Sequence, residues 1–409
     1  MNGHLVVPRM LADELRRALA SWPVVVVTGA RQTGKSTLVQ DAAAAGERTF
    51  HSFDDMRLLG AVRRDPDAFF GGKNRLTLDE VQRAPDVLLE VKRAVDRRRE
   101  PGRFLLTGSA NLLLMRQVSE SLAGRAVYLT LWPLTRRERL GLGSAGAWAR
   151  LWEAPDDDWR DLLEAEDAPH EDWRAAARLG GFPWPTLHER DEVERRRWHA
   201  GYVQTYLERD VRDVSSLQSP AEYRRFMQAA CLRLGNVLNQ SDVGRDLSLP
   251  QSTVHRWLDL LEVTYQLVRL PAYSVNRTKR LVKSPKIYWV DTALAMQLEE
   301  DAQERGAHLE NLVVLDARAW AGSIPDGPRL LYWRTSTGEE VDLVIEWRGR
   351  LLPVEVKTSE RLRPEDGRGL RTFRREYGQR ARTGLLLHGG EKVEWIGDGI
   401  VAVPWWKVI

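Results

Sequence analysis

The sequence predicts a multidomain α/β protein, and three stretches of its 409 residues carry that prediction. Four consecutive valines, Val24 to Val27, precede a glycine-containing turn and an amphipathic helix, as in a parallel sheet buried on both faces. Residues 237–264 predict two helices separated by a short turn, and residues 340–357 predict a β-hairpin. Further strands and helices alternate over the first 131 residues, which is the pattern of a parallel sheet.

The amino-acid composition is that of a soluble globular protein and argues against a membrane or disulfide-rich protein. The charged fraction of 29% and hydrophobic fraction of 43% are those of a soluble globular chain, and no apolar run approaches the roughly 18 residues of a membrane helix. One cysteine, Cys231, excludes an internal disulfide and a multi-cysteine metal site. With no signal-peptide pattern at the start, we expect a cytoplasmic protein that does not contact membranes. The net charge is only +3, so binding of nucleic acid must depend on local patches.

The stretch after the valines fits the phosphate-binding pattern G-x-x-x-x-G-K-[ST]. Its residues are Gly29, Ala30, Arg31, Gln32, Thr33, Gly34, Lys35 and Ser36, followed by Thr37. The glycines allow backbone N–H groups to surround a triphosphate at the amino end of the next helix. Lys35 is the residue expected to reach the β- and γ-phosphates, and the Ser36 hydroxyl is the expected Mg²⁺ ligand.

Two carboxylates end the strand predicted at residues 75–80. Asp79 is expected to hold Mg²⁺ together with Ser36, and Glu80 is expected to polarise the attacking water. Such acid pairs also cap helices, but this pair follows an apolar strand about 45 residues after the phosphate loop. That position favours the catalytic interpretation.

Further polar residues follow the next two predicted strands. Thr107 or Ser109, after the strand at residues 103–107, is a candidate for sensing the γ-phosphate, although a turn with a helix cap explains either residue equally well. Arg125, before the strand at residues 126–131, is a candidate arginine finger. In a chain this rich in arginine, an ordinary surface residue is the alternative.

Residues 237–290 predict a helix–turn–helix followed by a β-hairpin wing. The second helix would present Gln251, Ser252, Thr253, His255 and Arg256 to a major groove. The wing carries the clear basic patch of the chain, in residues 277–286: Arg277, Lys279, Arg280, Lys283 and Lys286. We therefore expect DNA as a partner, with contacts between proteins as the alternative use of this module.

The hairpin at residues 340–357 carries acids at regular positions. With Arg348 and Gly349 at the turn, the numbers of facing residues sum to 697, so Asp342 lies opposite Glu355. Facing residues have Cβ atoms about 4.5–5.5 Å apart, a span that one metal ion bridges. Two acids and the nearby Lys357 would suit metal-assisted attack of water on a phosphodiester. A charged, solvent-facing hairpin is the alternative.

Most of the chain also resembles a known family. GARQTGKST, LTLDEVQ, LLTGSANLLL, SLAGRAVYLTLWPL, LGGFP and YVQTYLERDVRDV resemble the AAA+-type ATPase module of the bacterial and archaeal "ATP-binding protein" family. The resemblance implies a five-stranded parallel sheet, ATP with Mg²⁺, a helical lid, and a C-terminal domain of unknown function (DUF4143-like). The Trp- and acid-rich residues 141–173 are expected to form an exposed insertion.

The C-terminal hairpin resembles the core of the PD-(D/E)XK nuclease superfamily. Carried over, Asp342 and Glu355 become metal ligands, Lys357 orients water, and Glu310 supplies an extra acid. The implied domains are an ATPase core (1–133), a helical lid with the acidic insertion (134–224), a winged helix (225–290) and a PD-(D/E)XK-like α/β domain (291–409).

These observations lead to one expectation and one alternative. The expected protein is a Mg²⁺-dependent ATPase that binds DNA and carries a metal-dependent nuclease domain, with Mn²⁺ as an alternative ion at that domain. The alternative is a nucleotide-switched module that binds DNA or protein and has an inactive nuclease fold. The sequence leaves the oligomeric state open, a homo-oligomer included, and does not decide whether Arg125 acts on its own subunit.

Overall fold

The structure is a computed structural model that describes residues 7–70, 75–108, 122–142, 146–207, 211, 219–276, 280, 283–300, 303–397 and 399–409. The statements below concern these residues. No helix among them is long and apolar enough to cross a membrane.

Five parallel strands form the first sheet: β1 (Val24–Thr28), β2 (Thr49–Ser52), β3 (Leu76–Asp79), β4 (Phe104–Thr107) and β5 (Ala126–Thr130). Their order is β2-β3-β4-β1-β5, and every neighbouring pair is parallel. Successive valines of β1 enter different cores, because side chains alternate along a strand: Val24 and Val26 join one cluster, Val25 and Val27 the other. The predicted five-stranded parallel sheet is confirmed.

Helices cover this sheet and lead into a second helical region. The first group is α1 (Ala12–Ser21), α2 (Lys35–Gln40), α3 (Ala42–Ala45), α4 (Met56–Arg64), α5 (Pro66–Phe70) and α6 (Val87–Arg97). The second group is α7 (Arg136–Arg139), α8 (Trp148–Glu153), α9 (Trp159–Glu164), α10 (Trp173–Leu179), α11 (Pro183–Leu187) and α12 (Glu192–Thr205).

The expectation of an exposed insertion at residues 141–173 is wrong. Trp148 and Trp159 are completely buried, and Trp173 is 4% exposed. The acid Asp156 accepts hydrogen bonds from the buried guanidinium of Arg382, 226 residues away. Burial of three indole rings outweighs the acidic composition, so this segment is part of the interior.

The middle of the chain contains the two predicted helices and a two-stranded sheet. Its elements are α13 (Pro220–Cys231), α14 (Gln240–Leu247), α15 (Gln251–Val263), β6 (Leu267–Leu270), β7 (Lys286–Trp289) and α16 (Thr292–Leu298). Between α14 and α15 the chain turns through Ser248 in a left-handed conformation. The strands β6 and β7 pair antiparallel. The helix–turn–helix geometry is present, and its use as a winged helix stays a prediction.

A six-stranded mixed sheet forms the C-terminal part. Its elements are α17 (Gly306–Gly322), β8 (Arg329–Arg334), β9 (Glu340–Trp347), β10 (Arg350–Val356), α18 (Arg368–Tyr377), β11 (Gly384–His388), β12 (Glu394–Trp395), β13 (Ile400–Pro404) and α19 (Trp405–Val408). The strand order is β12-β13-β11-β10-β9-β8. Leu351 faces Glu346 and Val354 faces Leu343, which is the predicted register. Both turn residues, Arg348 and Gly349, have positive φ, as a type I′ turn requires.

One hydrophobic core extends through the three later regions. A single cluster of buried side chains contains Trp148 of the helical region, Trp257 of the middle unit and Trp320 of the C-terminal part. The first sheet has its two separate clusters. The helical, middle and C-terminal regions are therefore packed as one body.

Candidate functional site

The phosphate loop connects the carboxyl end of β1 to the amino end of α2. Gly29 has φ +138°, and a Cβ there would lie 2.3 Å from the carbonyl oxygen of Leu131. Gly34, with φ +91°, caps α2 in a left-handed conformation. A side chain is excluded at Gly29 by the close approach of Leu131, and at Gly34 glycine is favoured by the left-handed backbone, so local geometry explains both glycines of the motif.

Lys35 is buried, and its ammonium lies against the backbone of the loop. Its Nζ donates to the carbonyl oxygens of Ala30 at 2.7 Å and Gly29 at 3.1 Å. This places the positive charge inside the loop that the motif predicts as a phosphate cradle.

The predicted magnesium ligands meet across the sheet. The Ser36 hydroxyl donates to both carboxylate oxygens of Asp79, at 3.0 and 3.1 Å. Thr107, at the end of the intervening strand β4, also donates its hydroxyl to Asp79. A hydroxyl and a carboxylate oxygen in contact are the oxygen donors that Mg²⁺ accepts, so this pair fits the ion.

Glu80 follows Asp79 in a strained conformation. Its φ is +56°, uncommon for a residue with a side chain, and its carboxylate accepts a hydrogen bond from the Gln82 amide. Burial and then the charge of Asp79 raise the pKa of Glu80, while Lys35 opposes that change. The carboxylate therefore sits beside the loop in an environment that strengthens it as a base.

A cavity of about 390 Å³ lies over the loop. Its lining includes Lys35, Ser36 and Glu80, and the start of α11 closes it with Pro183 and Trp184. His188 borders it as well. An adjoining cavity of about 110 Å³ is lined by loop and helix residues, by Val7 and Arg9 from the amino-terminal segment, and by Leu187.

Sequence reasoning missed several of these residues. Arg9 donates to the carbonyl oxygens of Thr33 at 2.8 Å and Trp132 at 2.6 Å, and it pairs with Glu138 at 3.2 Å. Arg9 therefore braces the phosphate loop from the amino-terminal segment. No motif marks it. For Pro183 the sequence does contain a signal. It ends the LGGFP stretch, which lies within the lid that the family resemblance implies.

Arg125 lies far from this site within its own subunit. It precedes β5, whose first residues pair with the start of β1, whereas the phosphate loop follows the end of β1. Its guanidinium pairs with Asp96 at 2.5 Å. The role of Arg125 as an arginine finger stays a prediction, and its position at the other end of the sheet favours action on a neighbouring subunit. Ser109 lies outside the described residues.

The C-terminal acids converge as the hairpin register predicts. Lys357 pairs with Glu355 at 2.7 Å, and the backbone N–H of Val356 donates to Asp342 at 3.0 Å. Glu310 arrives from α17. Burial and then the charge of Asp342 raise the pKa of Glu310 and of Glu355. These four side chains therefore lie in one cluster, and the roles of metal ligand and water-orienting lysine stay predictions.

Lys286 is a further member of this cluster, and the sequence assigned it elsewhere. Its Nζ lies 2.9 Å from Glu310, 3.0 Å from Asp342 and 2.5 Å from Glu340. Burial lowers the pKa of the ammonium, but the surrounding negative groups outweigh burial and raise it overall. Within the described ranges, no three His, Cys, Asp or Glu side chains converge as a metal site requires.

The basic patch at residues 277–286 is consequently smaller than predicted. Lys286 is 2% exposed. Arg280 is 8% exposed and forms a bidentate ion pair with Glu346, at 2.6 and 3.1 Å. Assigning these two residues to a DNA-binding surface is wrong, because internal acids already pair with them. Lys283 is exposed, and Arg277 and Lys279 lie outside the described residues.

Comparison with known proteins agrees with this organisation. Residues 21–140 match the AAA domain, residues 170–305 match a domain of unknown function (DUF8612), and residues 305–408 match another (DUF4143). The uncharacterized proteins Rv2008c of Mycobacterium tuberculosis and Mb2031c of Mycobacterium bovis are each 33% identical to this chain over 410 residues. The alignment covers 98% of this chain and 84% of each relative. The chain belongs to this family of AAA-domain proteins with a DUF4143 C-terminal domain.

Solved structures show more distant likeness. The Walker-type ATPase PABY2304 of Pyrococcus abyssi is 16% identical with a TM-score of 0.45, covering 72% of this chain and 96% of its own. RuvB of Thermotoga maritima, a Holliday junction branch migration motor, is 15% identical with a TM-score of 0.28, covering 67% of this chain and 94% of its own.

Proposed function

We propose that this protein binds ATP with Mg²⁺ at the loop of residues 29–37 and hydrolyses it. The observation that carries the proposal is the direct contact between Ser36 of the loop and Asp79 of the next-but-one strand. The two predicted magnesium ligands, 43 residues apart in sequence, lie together beside the buried Lys35. The matched AAA domain supports ATP as the nucleotide.

The two cavities suit the two ends of a nucleotide. The larger has the ammonium, hydroxyl and carboxylate groups around a loop rich in backbone N–H donors, so it is the place for the triphosphate. The adjoining cavity is lined by apolar side chains such as Val7, Leu38 and Leu187, which suit a base. The start of α11 at Pro183 borders both cavities and would cover the bound nucleotide.

Each residue of the site has a defined part in hydrolysis. Lys35 would neutralise charge on the β- and γ-phosphates, and Ser36 and Asp79 would hold Mg²⁺, which would supply charge stabilisation for phosphoryl transfer. Glu80 would accept a hydrogen bond from the attacking water and so orient it. The backbone of Glu80, with its positive φ, is held at the end of β3 by a hydrogen bond from its N–H to the Thr107 hydroxyl at 3.4 Å.

Replacing Lys35 tests the proposal. In Lys35→Ala we expect phosphate release from ATP to fall by about 100-fold or more, since an electrostatic contact to the transition state is lost. Lys392→Ala, at an exposed lysine far along the chain, is the matched control and should keep full turnover. Circular dichroism checks that the fold is unchanged. Turnover retained in Lys35→Ala would contradict the assignment of the loop.

DNA binding stays a proposal with narrower support. The amino end of α15 presents Gln251, Ser252, His255 and Arg256 to solvent, as a recognition helix would. Two of the five basic residues of the wing are engaged internally, so this helix would carry more of the binding. Affinity for duplex DNA that falls with added salt would support it, and no salt-dependent binding would favour contacts with protein.

For the C-terminal domain, the cluster supports the alternative reading over a metal-dependent nuclease. The acids expected to hold Mg²⁺ or Mn²⁺ form ion pairs with lysines of the same chain. We therefore propose a nucleotide-dependent module whose nuclease-like domain does not cleave DNA.

A further inference from the structure

The carboxylate cluster of the C-terminal domain encloses a lysine side chain. Lys286 belongs to β7 of the middle unit, yet its ammonium lies among Glu310 of α17 and the two acids Glu340 and Asp342 of β9. All three contacts are 3.0 Å or shorter, and the Lys286 side chain is 2% exposed. One positive charge is therefore surrounded by three acids in the interior.

A divalent cation would need the oxygen atoms that this ammonium already binds. Magnesium is held at about 2.0–2.1 Å and calcium at about 2.3–2.6 Å, mostly by carboxylate oxygens. Oε1 of Glu310 and Oδ1 of Asp342 both accept hydrogen bonds from Lys286. The other oxygen of Asp342 accepts from the Val356 N–H, at 3.0 Å.

The remaining acid of the cluster leaves a single free oxygen. Oε1 of Glu355 accepts from Lys357 at 2.7 Å, whereas Oε2 is buried and has no hydrogen-bond partner. This oxygen cannot by itself hold a divalent ion against the desolvation cost of burying it, and Oε1 of Glu310 and Oδ1 of Asp342 would first have to give up their hydrogen bonds from Lys286. The residues present do not fit the metal that the nuclease resemblance implies.

Lys286 is fixed in this position by its backbone. Its strand pairs with β6, where Lys286 faces Leu270, and it also bridges to Val237 on the other side. Two residues further along, Tyr288 donates its hydroxyl to the same oxygen of Glu310, since alternate side chains of a strand share a face. The pairing of β7 therefore holds the Lys286 side chain on the face of the strand that meets the cluster.

We propose that Lys286 is the resident cation of the nuclease-like domain. It occupies the position that a divalent metal would take and excludes metal from the cluster. It also joins the middle unit to the C-terminal domain through buried charge. This inference concerns metal binding at the C-terminal domain, so it does not depend on ATP hydrolysis at the phosphate loop.

Electron paramagnetic resonance of Mn²⁺ titrated into the nucleotide-free, full-length protein tests the inference. We expect the wild type and Asp342→Asn to bind the same small amount of Mn²⁺. Lys286→Met, which keeps the length and loses the charge, should gain one site that binds at least about tenfold more tightly. Adding Asp342→Asn to Lys286→Met should abolish that site. Near-ultraviolet circular dichroism establishes that each variant is folded.

Two results would overturn the inference. The first is a Mn²⁺ site in the wild type that Asp342→Asn or Glu355→Gln removes. The second is a folded Lys286→Met protein that gains no site. If Lys286→Met does not fold, cleavage of linear and circular DNA with Mn²⁺ decides: no cleavage by the wild type upholds the inference, and cleavage lost in Asp342→Asn refutes it.

Discussion

At the scale of single residues, Asp316 is a buried acid with an unusual environment. It lies on α17, where Trp148 donates to its Oδ1 at 2.7 Å while its Oδ2 has no hydrogen-bond partner. Burial raises the pKa of Asp316 to about 7, although the hydrogen bond from Trp148 and the charges of Arg137 and Arg136 act to lower it. The carboxyl group is therefore neutral in the folded protein at moderately acidic pH.

This environment predicts a pH-dependent stability. The folded pKa, about 7, lies above the unfolded value of 3.8, so the folded state binds more protons between them. The stabilisation is present at low pH and is lost as the pH rises toward the folded pKa. Between about pH 5 and pH 8, the wild type should lose roughly 2–3 kcal/mol relative to Asp316→Asn, which does not titrate.

Thermal unfolding at both pH values measures this difference. The amide of Asp316→Asn still accepts the hydrogen bond from Trp148, so the variant changes titration with little change in shape. Asp326→Asn, at an exposed turn residue shortly after the end of α17, is the control. Parallel pH curves for the wild type and Asp316→Asn would contradict the prediction.

The sequence revealed residues that lie close together in one motif and missed those that long-range packing supplies. Lys35 and Ser36 belong to a contiguous pattern whose chemistry is readable directly. Lys286 reaches Asp342 from 56 positions away, and Arg9 reaches Trp132 from 123 positions away. A lysine in a basic stretch looks like a surface cation, because sequence alone does not show which acids the fold brings to it.

At the scale of secondary-structure elements, α15 of the middle unit contacts the phosphate loop's own strand. Tyr265 follows the end of α15 with φ +58°, and its hydroxyl donates to the Thr28 hydroxyl at 2.8 Å. Thr28 is the last residue of β1, directly before Gly29. The edge of the Tyr265 ring also packs against Trp132. A strained residue thus links the helix–turn–helix to the nucleotide site.

Tyr265→Phe should weaken this link without creating a cavity. Loss of one buried hydrogen bond costs about 1 kcal/mol, so we expect the affinity for ATP to fall by about fivefold if the bond braces the loop. Fluorescence titration with a labelled ATP analogue measures the dissociation constant. Tyr332, in β8 of the C-terminal part, donates a similar hydrogen bond to the Ser284 carbonyl. Tyr332→Phe loses that bond and should leave the affinity for ATP unchanged. Equal affinities in the two variants would refute the link.

Secondary-structure elements could be predicted where the apolar and polar side chains repeat at the period of a strand or a helix. The register of the β9–β10 hairpin followed from the alternation of side chains and a two-residue turn. For residues 141–173, the acidic composition predicts an exposed segment, whereas the spacing of the apolar residues predicts buried helices. Trp148 with Leu151, and Trp159 with Leu163, recur at helical intervals and are buried. That spacing was the signal for an interior segment.

At the scale of the whole molecule, the cover of the nucleotide site is continuous with the C-terminal core. The Asp291 carboxylate accepts a hydrogen bond from the N–H of Gly181 at 2.6 Å; Gly181 lies just before α11, the helix that borders the cavity. The same carboxylate accepts a hydrogen bond from the N–H of Leu294 in α16 at 2.8 Å. A Cβ at Gly180 would lie 2.6 Å from the same carboxylate. The lid is therefore hydrogen-bonded to the middle unit and shares its core with the C-terminal part, a connection that domain boundaries drawn from sequence do not convey.

Arg382 joins the C-terminal sheet to the helical region through hydrogen bonds. Replacing it tests whether the two regions unfold together. Its guanidinium is buried and donates to the carbonyl oxygens of Leu151, Trp152 and Ala154 and to the Asp156 carboxylate. Arg382→Ala leaves these acceptors buried and unpaired, so the protein should lose about 3–5 kcal/mol of stability. Arg361→Ala, at an exposed arginine, should lose less than about 0.5 kcal/mol.

Tryptophan fluorescence during urea unfolding measures the effect over the whole shared core, because no tryptophan falls within residues 23–131. Since Trp148, Trp257 and Trp320 belong to one cluster, Arg382→Ala should move a single transition to lower urea concentration. Two separate transitions, with only one displaced, would show that the middle unit unfolds independently of the C-terminal domain. That result would refute the single cooperative core shared by the helical, middle and C-terminal regions.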